Sequence, residues 1–144
     1  RRRHTRLLTV TGVQTCALPI YYYHIKYAES QDGIHWGLNR PVCIDFNGPD
    51  EYAIARPCVI HDEGRYRMWY CSRGQAYRIG YAESHDGLHW ERLDHLAGIE
   101  PSSDEWDSQM QAYPWVFSYR GEQFMLYNGN DYGRTGIGLA IRES

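Results

Sequence analysis

Acidic, amide, arginine and aromatic side chains gather in two stretches of this 144-residue chain, residues 50–56 with 72–73 and residues 105–113 with 128–131. Two carboxylates that face one bond can serve as general acid and general base, provided that their environments keep one of them protonated. Aromatic rings beside planar amide and guanidinium groups suit the rings and hydroxyl groups of sugars. These residue types therefore favour carbohydrate chemistry.

Asp107 is the first candidate for a catalytic carboxylate, because it lies among aromatic and amide residues directly before a strand-like segment. Glu51 is the second candidate. An equally good interpretation is that residues 104–107 form a solvated acidic loop, and Asp131 is more typical of a turn. The candidate substrate-binding residues are Arg56, Tyr52, Arg73, Trp106, Gln109, Gln111, Tyr113, Asn128, Asn130 and Asp131, with Asp50, Ser72 and Glu105 beside them.

The elements that must position these residues are repeated along the chain. Residues 24–36 recur as residues 78–90 at an offset of 54, each with the phrase Ser-x-Asp-Gly-x-His-Trp, and a third copy begins at Ile137. Residues 56–70 recur as residues 113–127 at an offset of 57. Repeats of this length, made of short strands, indicate the blades of a β-propeller.

Segments rich in Tyr, Trp, Ile and Val, punctuated by Gly and Asp-Gly, predict four antiparallel strands per repeat and no long helix. Ile79 and Tyr81 alternate with Gly80 and Ala82, so the large face of one sheet would pack on the small face of the next. The sequence thus predicts an all-β fold, a partial propeller of two to three blades. The predicted strands are A 56–61, B 65–71, C 77–83 and D 88–93, then A 113–118, B 123–128 and C 135–141, preceded by C 22–29 and D 34–38.

The first twenty residues are predicted to be foreign to the fold. Residues 10–20 read Val-Thr-Gly-Val-Gln-Thr-Cys-Ala-Leu-Pro-Ile, which is the translation of a common sequencing-library adapter, and residues 1–6 match the same adapter in frame. The alternative is a basic arm or a signal peptide, but the apolar run is short and interrupted. The chain would then divide into an adapter-derived segment, residues 1–20, without a fixed relation to the core, and a propeller domain, residues 21–144.

Composition limits the partners and cofactors. Without residues 1–20, Lys+Arg falls from 15 to 11 against 18 Asp+Glu, so the formal charge moves from −3 to −7 and no basic stretch for nucleic acid is left. Cys43, Cys58 and Cys71, at irregular spacing, predict buried thiols rather than disulfides or a zinc site. We expect no metal, no cofactor and no membrane span. The composition leaves the cellular compartment open.

Residues 55–60 (Ala-Arg-Pro-Cys-Val-Ile), 64–70 (Gly-Arg-Tyr-Arg-Met-Trp-Tyr) and 79–84 (Ile-Gly-Tyr-Ala-Glu-Ser) carry a resemblance to a known group. They resemble the five-bladed β-propeller glycosidase superfamily, which includes arabinanases, invertases, mannoside phosphorylases and glycoside hydrolase family 43. The resemblance implies a C-terminal fragment whose N-terminal blades are missing. It also implies a parent protein that acts on glycosidic bonds, and we expect the fragment alone to be inactive.

The resemblance also orients the strands. In the similar enzymes the sugar lies in a funnel at the face where the innermost strands begin, which implies that Arg56 and Asp107 approach the central axis together. Residues 128–131 would lie beside them. His35 and His89 belong to turns that resemble the Asp-box of sialidase propellers. The turns in this chain have one residue fewer between Asp and Gly. We expect both histidines on the opposite face, with a structural role.

One departure from the family pattern bears on activity. Many members have Asp before the proline of an inner strand, whereas Arg56 precedes Pro57 and Tyr113 precedes Pro114 here. Either the acids lie in the missing blades or this branch is not hydrolytic. Three functions stay open: an enzyme that hydrolyses, phosphorolyses or transfers glycosides, a non-catalytic carbohydrate-binding propeller, and a protein-interaction scaffold.

Overall fold

The computed structural model describes residues 6–10, 22–37 and 41–142, with the backbone alone for residues 6–10. Within these ranges the chain forms three antiparallel sheets with strand orders β1-β2-β3, β4-β5-β6-β7 and β10-β9-β8. The strands are β1 Arg6–Val10, β2 Ile25–Glu29, β3 Val42–Ile44, β4 Ala53–Asp62, β5 Arg65–Arg73, β6 Tyr77–Ser84, β7 Glu91–Arg92, β8 Ala112–Tyr119, β9 Glu122–Asn128 and β10 Ile137–Ile141. A 3-10 turn, Asp94–Leu96, and a single helical turn, Asn130–Gly133, complete the described elements.

The sheets confirm the all-β class and the partial propeller. The predicted A, B and C strands are present as β4, β5 and β6 in the middle sheet and as β8, β9 and β10 in the third. The D strand predicted at 88–93 is present as the shorter strand β7, Glu91–Arg92, whereas the D strand predicted at 34–38 is wrong, because its place in the leading sheet is taken by β3, Val42–Ile44. The reason is that the Asp-Gly turns are longer than expected, because their backbone N–H groups bond to side chains instead of a neighbouring strand.

The large-on-small packing of neighbouring sheets follows the prediction from strand C. Tyr81 and Trp69 of the middle sheet are buried with Val116 of the third sheet, and Ala140 packs against this cluster. The opposite face of the middle sheet contributes Met68 and Tyr70 to a second cluster shared with the leading sheet. Each blade is therefore held by its neighbour's side chains rather than by a core of its own.

The outer face of the third sheet is apolar and exposed. Ile137, Leu139 and Ile141 of β10 lie more than half exposed, and Trp115 stacks on Phe117 with ring centroids 4.8 Å apart. The corresponding positions of the middle sheet (Cys58, Ile60, Trp69, Ile79 and Tyr81) are those that the third sheet covers. The exposed face thus has the character of a blade-packing surface.

Strand β1 lies at the open edge of the leading sheet, where a strand B would be. Its backbone pairs with β2 from Arg6↔Glu29 to Val10↔Ile25. This pairing differs from the expectation that residues 1–20 have no fixed relation to the sheets. An unpaired edge accepts any extended segment, because main-chain hydrogen bonds do not depend on side-chain identity. The adapter origin stays a prediction, tested by an independent read of the source DNA; residues 1–5 and 11–20 lie outside the described ranges.

The two Ser-x-Asp-Gly-x-His-Trp turns have the same geometry. In the second, the Ser84 hydroxyl accepts from Gly87 N at 2.8 Å, and Asp86 accepts from the backbone N–H groups of Leu88 and His89 at 2.8 Å. The Trp90 indole donates to the Gly87 carbonyl at 3.1 Å, as the equivalent indole of the first turn does at 3.2 Å. Both tryptophans are half-buried, because the turns extend beyond the sheets.

Gly80 marks the closest approach between a strand and a neighbouring ring. A methyl group at position 80 would lie 2.5 Å from the Tyr70 ring, which cannot move freely because its hydroxyl donates to Asp94 at 2.6 Å. We expect Gly80→Ala to lower the free energy of unfolding by about 1–3 kcal/mol. This loss outweighs the small stabilisation that alanine normally gives by reducing the conformational entropy of the unfolded chain. Urea unfolding measures this loss, with Ser118→Ala on exposed β8 as the control. Equal midpoints for the two variants would contradict this account of the packing.

Candidate functional site

The inner strands of the middle and third sheets carry the same irregularity. In β4 the register with β5 shifts between Ala55 and Cys58, and in β8 the register with β9 shifts between Ala112 and Trp115. Each bulge contains a residue before proline with positive φ, 55° at Arg56 and 59° at Tyr113. That conformation is unfavourable for a non-glycine residue, and such strain collects at functional sites.

The two bulges bring Arg56 and Tyr113 together. The guanidinium carbon of Arg56 lies 5.1 Å from the centroid of the Tyr113 ring, although the residues belong to different blades. The Tyr113 backbone N–H bonds to the buried Cys71 sulfur at 2.9 Å, which fixes the second bulge against strand β5. Equivalent positions of adjacent blades therefore present their side chains to one shared surface.

Further rings and a second arginine extend this surface. Arg73, at the end of β5, lies 4.9 Å from the Tyr77 ring centroid and 5.6 Å from that of Tyr52. Tyr77 lies 6.4 Å from Tyr113 between ring centroids. We call Tyr52, Arg56, Arg73, Tyr77, Tyr113 and Tyr132 the tyrosine–arginine cluster.

Tyr132 reaches the cluster from a strained turn. Asp131 and Tyr132 both have positive φ, 52° and 59°. The Tyr132 ring stacks on Tyr113 with centroids 6.2 Å apart, and its hydroxyl accepts from Arg73 at 3.5 Å. Sequence reasoning missed Tyr132 and Tyr77. The phrase Asn-Gly-Asn-Asp-Tyr-Gly places Tyr132 in a turn next to the candidate residues 128–131, and Tyr77 lies at the start of strand C, so both could have been proposed as site residues.

Asn130 and Trp106 hold that turn in place. The Asn130 side-chain oxygen accepts from the backbone N–H groups of Gln109 and Met110, both at 2.8 Å. Trp106 is half-buried, with its ring against Gly129 and 5.5 Å from the Tyr127 centroid. Both residues therefore shape the loop and do not join the cluster. Asn128 likewise donates to the Tyr132 carbonyl at 3.2 Å, and Asp131 pairs with exposed Arg134 at 2.5 Å.

Asp107 is buried beneath the loop, with 4% of its surface exposed. Its carboxylate accepts hydrogen bonds from the Ser102 hydroxyl and backbone, from Gln111 at 2.8 Å and from the Tyr127 hydroxyl at 3.1 Å. Burial alone would raise the pKa of Asp107, but these donors outweigh it and lower the pKa. A carboxylate held ionised in this way suits an orienting role and not that of a general acid.

Glu51 is enclosed in a network of charges. Its two carboxylate oxygens each accept a 2.7 Å hydrogen bond from Arg92, whose Nε donates to Asp94 at 2.7 Å. Burial would raise the pKa of Glu51, but the Arg92 hydrogen bonds and charge, with the Asn47 backbone N–H, lower it. The lowered pKa therefore favours the ionised form of Glu51, the second catalytic candidate, and both of its carboxylate oxygens are already hydrogen-bonded to Arg92.

The predicted approach of Arg56 to Asp107 needs correction. Among the described residues, the partners of Asp107 are Ser102, Gln111 and Tyr127, whereas Arg56 lies over Tyr113. The cause is the burial of Asp107, whose side chain points into the packed loop. Gln111 is also buried, with 1% exposed, and Gln109 contributes its backbone while its side chain is exposed.

The turn that carries His89 lies at the end of the middle sheet opposite the tyrosine–arginine cluster. Arg73 pairs with Tyr77 at one end of β6, and Ser84 ends the strand seven residues further along. At about 3.3 Å per residue, roughly 23 Å separates the cluster end from the turn end. This agrees with the expected position of His89 on the face away from the site.

The cysteines of the described residues are free thiols, with Cys43 and Cys71 buried and Cys58 half-buried. Burial raises the pKa of Cys71 to about 12, which makes it a poor nucleophile. Residues 22–37 and 41–142 contain no group of three or more metal-ligating side chains close enough to hold an ion. No described helix is long and apolar enough to span a membrane.

Comparison with known proteins gives relatives in sequence and in structure. The chain is 54% identical over 120 residues to Uncharacterized protein MT1551 of Mycobacterium tuberculosis (strain CDC 1551 / Oshkosh), and 53% identical over 120 residues to Uncharacterized protein Rv1502 from a second strain of that species. Each match covers 83% of this chain and 40% of the relative, so the chain spans well under half of these curated proteins. No protein-family model matches the chain.

The similar solved structures are glycoside hydrolases. A structure titled glycoside hydrolase has a TM-score of 0.71 at 18% identity, covering 95% of this chain and 40% of the other. A family 117 glycoside hydrolase of Zobellia galactanivorans has a TM-score of 0.70 at 24% identity, covering 85% and 39%. A thermostable family-43 glycoside hydrolase has a TM-score of 0.67 at 19% identity, covering 86% and 45%. At these identities the likeness establishes the fold alone, which the chain shares with these glycoside hydrolases.

Proposed function

We propose that the tyrosine–arginine cluster is the saccharide-binding rim of a propeller protein that acts on glycosidic bonds by hydrolysis, phosphorolysis or transfer. The observation that carries the proposal is the pair of equivalent strained bulges that bring Arg56 and Tyr113 within 5.1 Å of each other. Backbone strain of this kind costs about 1–3 kcal/mol per residue and persists where the surroundings impose it. The fold shared with glycoside hydrolases supports the same assignment.

The chemistry of the cluster suits a sugar. Tyrosine rings offer apolar faces for the C–H side of a pyranose or furanose ring, and their hydroxyls bond to sugar hydroxyls. Tyr132 is 52% exposed, and Arg56 is also exposed, so both are accessible to a ligand. The ring centroids of Tyr77, Tyr113 and Tyr132 lie 5.9–6.4 Å from one another; Tyr113 and Tyr132 are stacked, and Tyr77 meets Tyr132 edge-on, so the three rings form one aromatic cluster.

We assign Glu51 and Asp107 to the support of the rim. Cleavage by two carboxylates needs one of them protonated and both of them facing the scissile bond. The lowered pKa values of Glu51 and Asp107 favour the ionised form of both carboxylates. Glu51 already accepts hydrogen bonds from Arg92, and Asp107 accepts them from Ser102, Gln111 and Tyr127. On this proposal the 144-residue chain binds saccharide without cleaving it.

Two other functions are compatible with this fold. A protein-interaction scaffold would gain support from an apolar outer face, but the exposed face of the third sheet corresponds to a covered blade-packing face of the middle sheet. A non-catalytic carbohydrate-binding propeller would use the same cluster. That alternative predicts binding in the longer relatives without turnover.

The binding proposal predicts a strong effect of Tyr113→Ala. Loss of the ring removes a stacking surface and the support of Arg56, so we expect affinity for a bound oligosaccharide to fall at least about tenfold, or ~1.4 kcal/mol. Isothermal titration of the chain against a panel of neutral and acidic oligosaccharides measures this loss.

Tyr119→Ala is the matched control, because Tyr119 lies on the same strand, is 56% exposed and has Arg120 5.1 Å from its ring centroid. We expect it to leave affinity unchanged. If no oligosaccharide binds, or if Tyr113→Ala and Tyr119→Ala behave alike, the cluster is not a saccharide site.

A further inference from the structure

Neither arginine of the cluster has an acidic partner among the residues that the structure describes. Within the described residues, neither Arg56 nor Arg73 has a carboxylate within ion-pair distance, whereas Arg65, Arg67, Arg92 and Arg134 are each paired with Asp or Glu. The chain as a whole is acidic, with 18 Asp+Glu against 15 Lys+Arg. Two uncompensated cations on one surface of an acidic chain create a local site for negative charge.

The rings leave the donors of these arginines available. Arg56 lies over Tyr113 at 5.1 Å, and Arg73 lies over Tyr77 at 4.9 Å. Arg73 also has hydrogen bonds to the hydroxyls of Tyr77 and Tyr132, which are neutral partners that an oxyanion can replace or join, because a guanidinium group has five N–H donors. The hydrogen bond of Arg73 to the Tyr132 hydroxyl is long, at 3.5 Å, and Arg56 has no hydrogen bond to another described residue in this structure.

The two guanidinium groups belong to one surface. Tyr77, which supports Arg73, lies 6.4 Å between ring centroids from Tyr113, which supports Arg56. A planar or tetrahedral oxyanion accepts paired hydrogen bonds from the edge of a guanidinium group. A ligand that combines an oxyanion with a sugar ring would therefore contact arginine edges and tyrosine faces together.

We propose that the cluster selects an anionic saccharide, a sugar whose ring carries a carboxylate or phosphate group held by Arg56 and Arg73. This inference rests on the proposed saccharide site and specifies its ligand class. The shared chemistry is an oxyanion attached to the sugar ring.

The test is calorimetric titration of the full chain with four probes at equal ionic strength: a uronic-acid trisaccharide, its neutral counterpart, a hexose phosphate and inorganic phosphate. We expect at least one of the two anionic sugars to bind about tenfold or more tightly than the neutral one, with a preference that weakens as salt is added. The stronger of the two identifies the anionic group as carboxylate or phosphate.

Arg56→Gln and Arg73→Gln should each lower affinity for the anionic sugar about tenfold more than affinity for the neutral sugar, so that the preference for the anionic sugar falls about tenfold. Arg120→Gln is the control, because Arg120 also lies over a tyrosine but is distant from the cluster in the fold. Circular dichroism confirms that each variant is folded.

Equal binding of neutral and anionic sugars, or preferences unaltered in both variants, would overturn the anionic inference and leave the saccharide site standing. Binding of inorganic phosphate as tightly as the sugar phosphate would overturn the assignment to a sugar-borne oxyanion. If none of the sugars binds, the proposed function itself fails.

Discussion

Arg92→Met is expected to lower the free energy of unfolding by about 3 kcal/mol, because it removes the cationic partner of the largely buried Glu51 carboxylate and of Asp94. The guanidinium donates to both oxygens of Glu51, to Asp94 and to the Asp45 carbonyl, all within 2.9 Å. The side chains of Arg92 and Glu51 are only 18% and 11% exposed, so water replaces these bonds only in part. Urea unfolding of the 144-residue chain measures the effect.

Arg65→Met is the matched control. Arg65 also donates to a glutamate, Glu83, at 2.9 Å, but its side chain is 51% exposed. An exposed pair of this kind contributes at most about 1 kcal/mol. Equal losses of stability in Arg92→Met and Arg65→Met would contradict the idea that burial of the Arg92–Glu51 pair is what makes it stabilising.

Asp107→Asn is expected to lower the free energy of unfolding by about 2–3 kcal/mol, because hydrogen bonds to a charged acceptor are lost and a new amide donor faces existing donors. The groups concerned are the Ser102 hydroxyl, the Gln111 amide and the Tyr127 hydroxyl. Asp131→Asn is the control, since Asp131 is exposed and pairs only with exposed Arg134. Thermal unfolding followed by circular dichroism compares the two variants.

The effect of Asp107→Asn should depend on pH. The pKa of Asp107 is lowered in the folded chain, so its stabilising contribution is present above the unfolded pKa and is lost as pH falls through the folded value. We expect the stability difference between the native chain and the variant to shrink as pH falls from about 5 to 2. A constant difference across that range would contradict a stabilising ionised Asp107.

The same variant separates the two roles considered for Asp107. A supporting carboxylate predicts lost stability together with weakened saccharide binding, since the loop that carries Tyr132 would loosen. A catalytic carboxylate predicts full stability and retained binding, with loss of turnover in a longer protein that has activity. Stability and affinity measured on one preparation of Asp107→Asn distinguish these outcomes.

Much of the fold was predictable because its signals are local. The alternation of Ile79, Gly80 and Tyr81 assigns opposite faces to a strand wherever the strand lies. The Ser-x-Asp-Gly-x-His-Trp phrase closes its turn through hydrogen bonds within seven residues. Repetition of both features at an offset of 54 residues then indicated blades.

The site was only partly predictable, because it depends on contacts between blades. The sequence by itself determined that Arg56, Arg73, Tyr52 and Tyr113 lie near the ends of inner and neighbouring strands. A polar side chain near these strand ends can face solvent or be buried, depending on the hydrogen-bond partners that the fold brings to it. For Asp107 these partners are Tyr127 of strand β9 and Ser102 of the preceding loop, and together they keep it buried.

Tyr132 shows the limit most clearly. Its place in the cluster requires two successive residues with positive φ and a loop held by Asn130 across 20–25 residues of chain. Local propensity disfavours that backbone for a tyrosine, so the sequence alone indicates only a turn there. Tertiary packing overcomes the local cost, and for this physical reason only the three-dimensional structure assigns Tyr132 and Tyr77 to the same surface as Arg56.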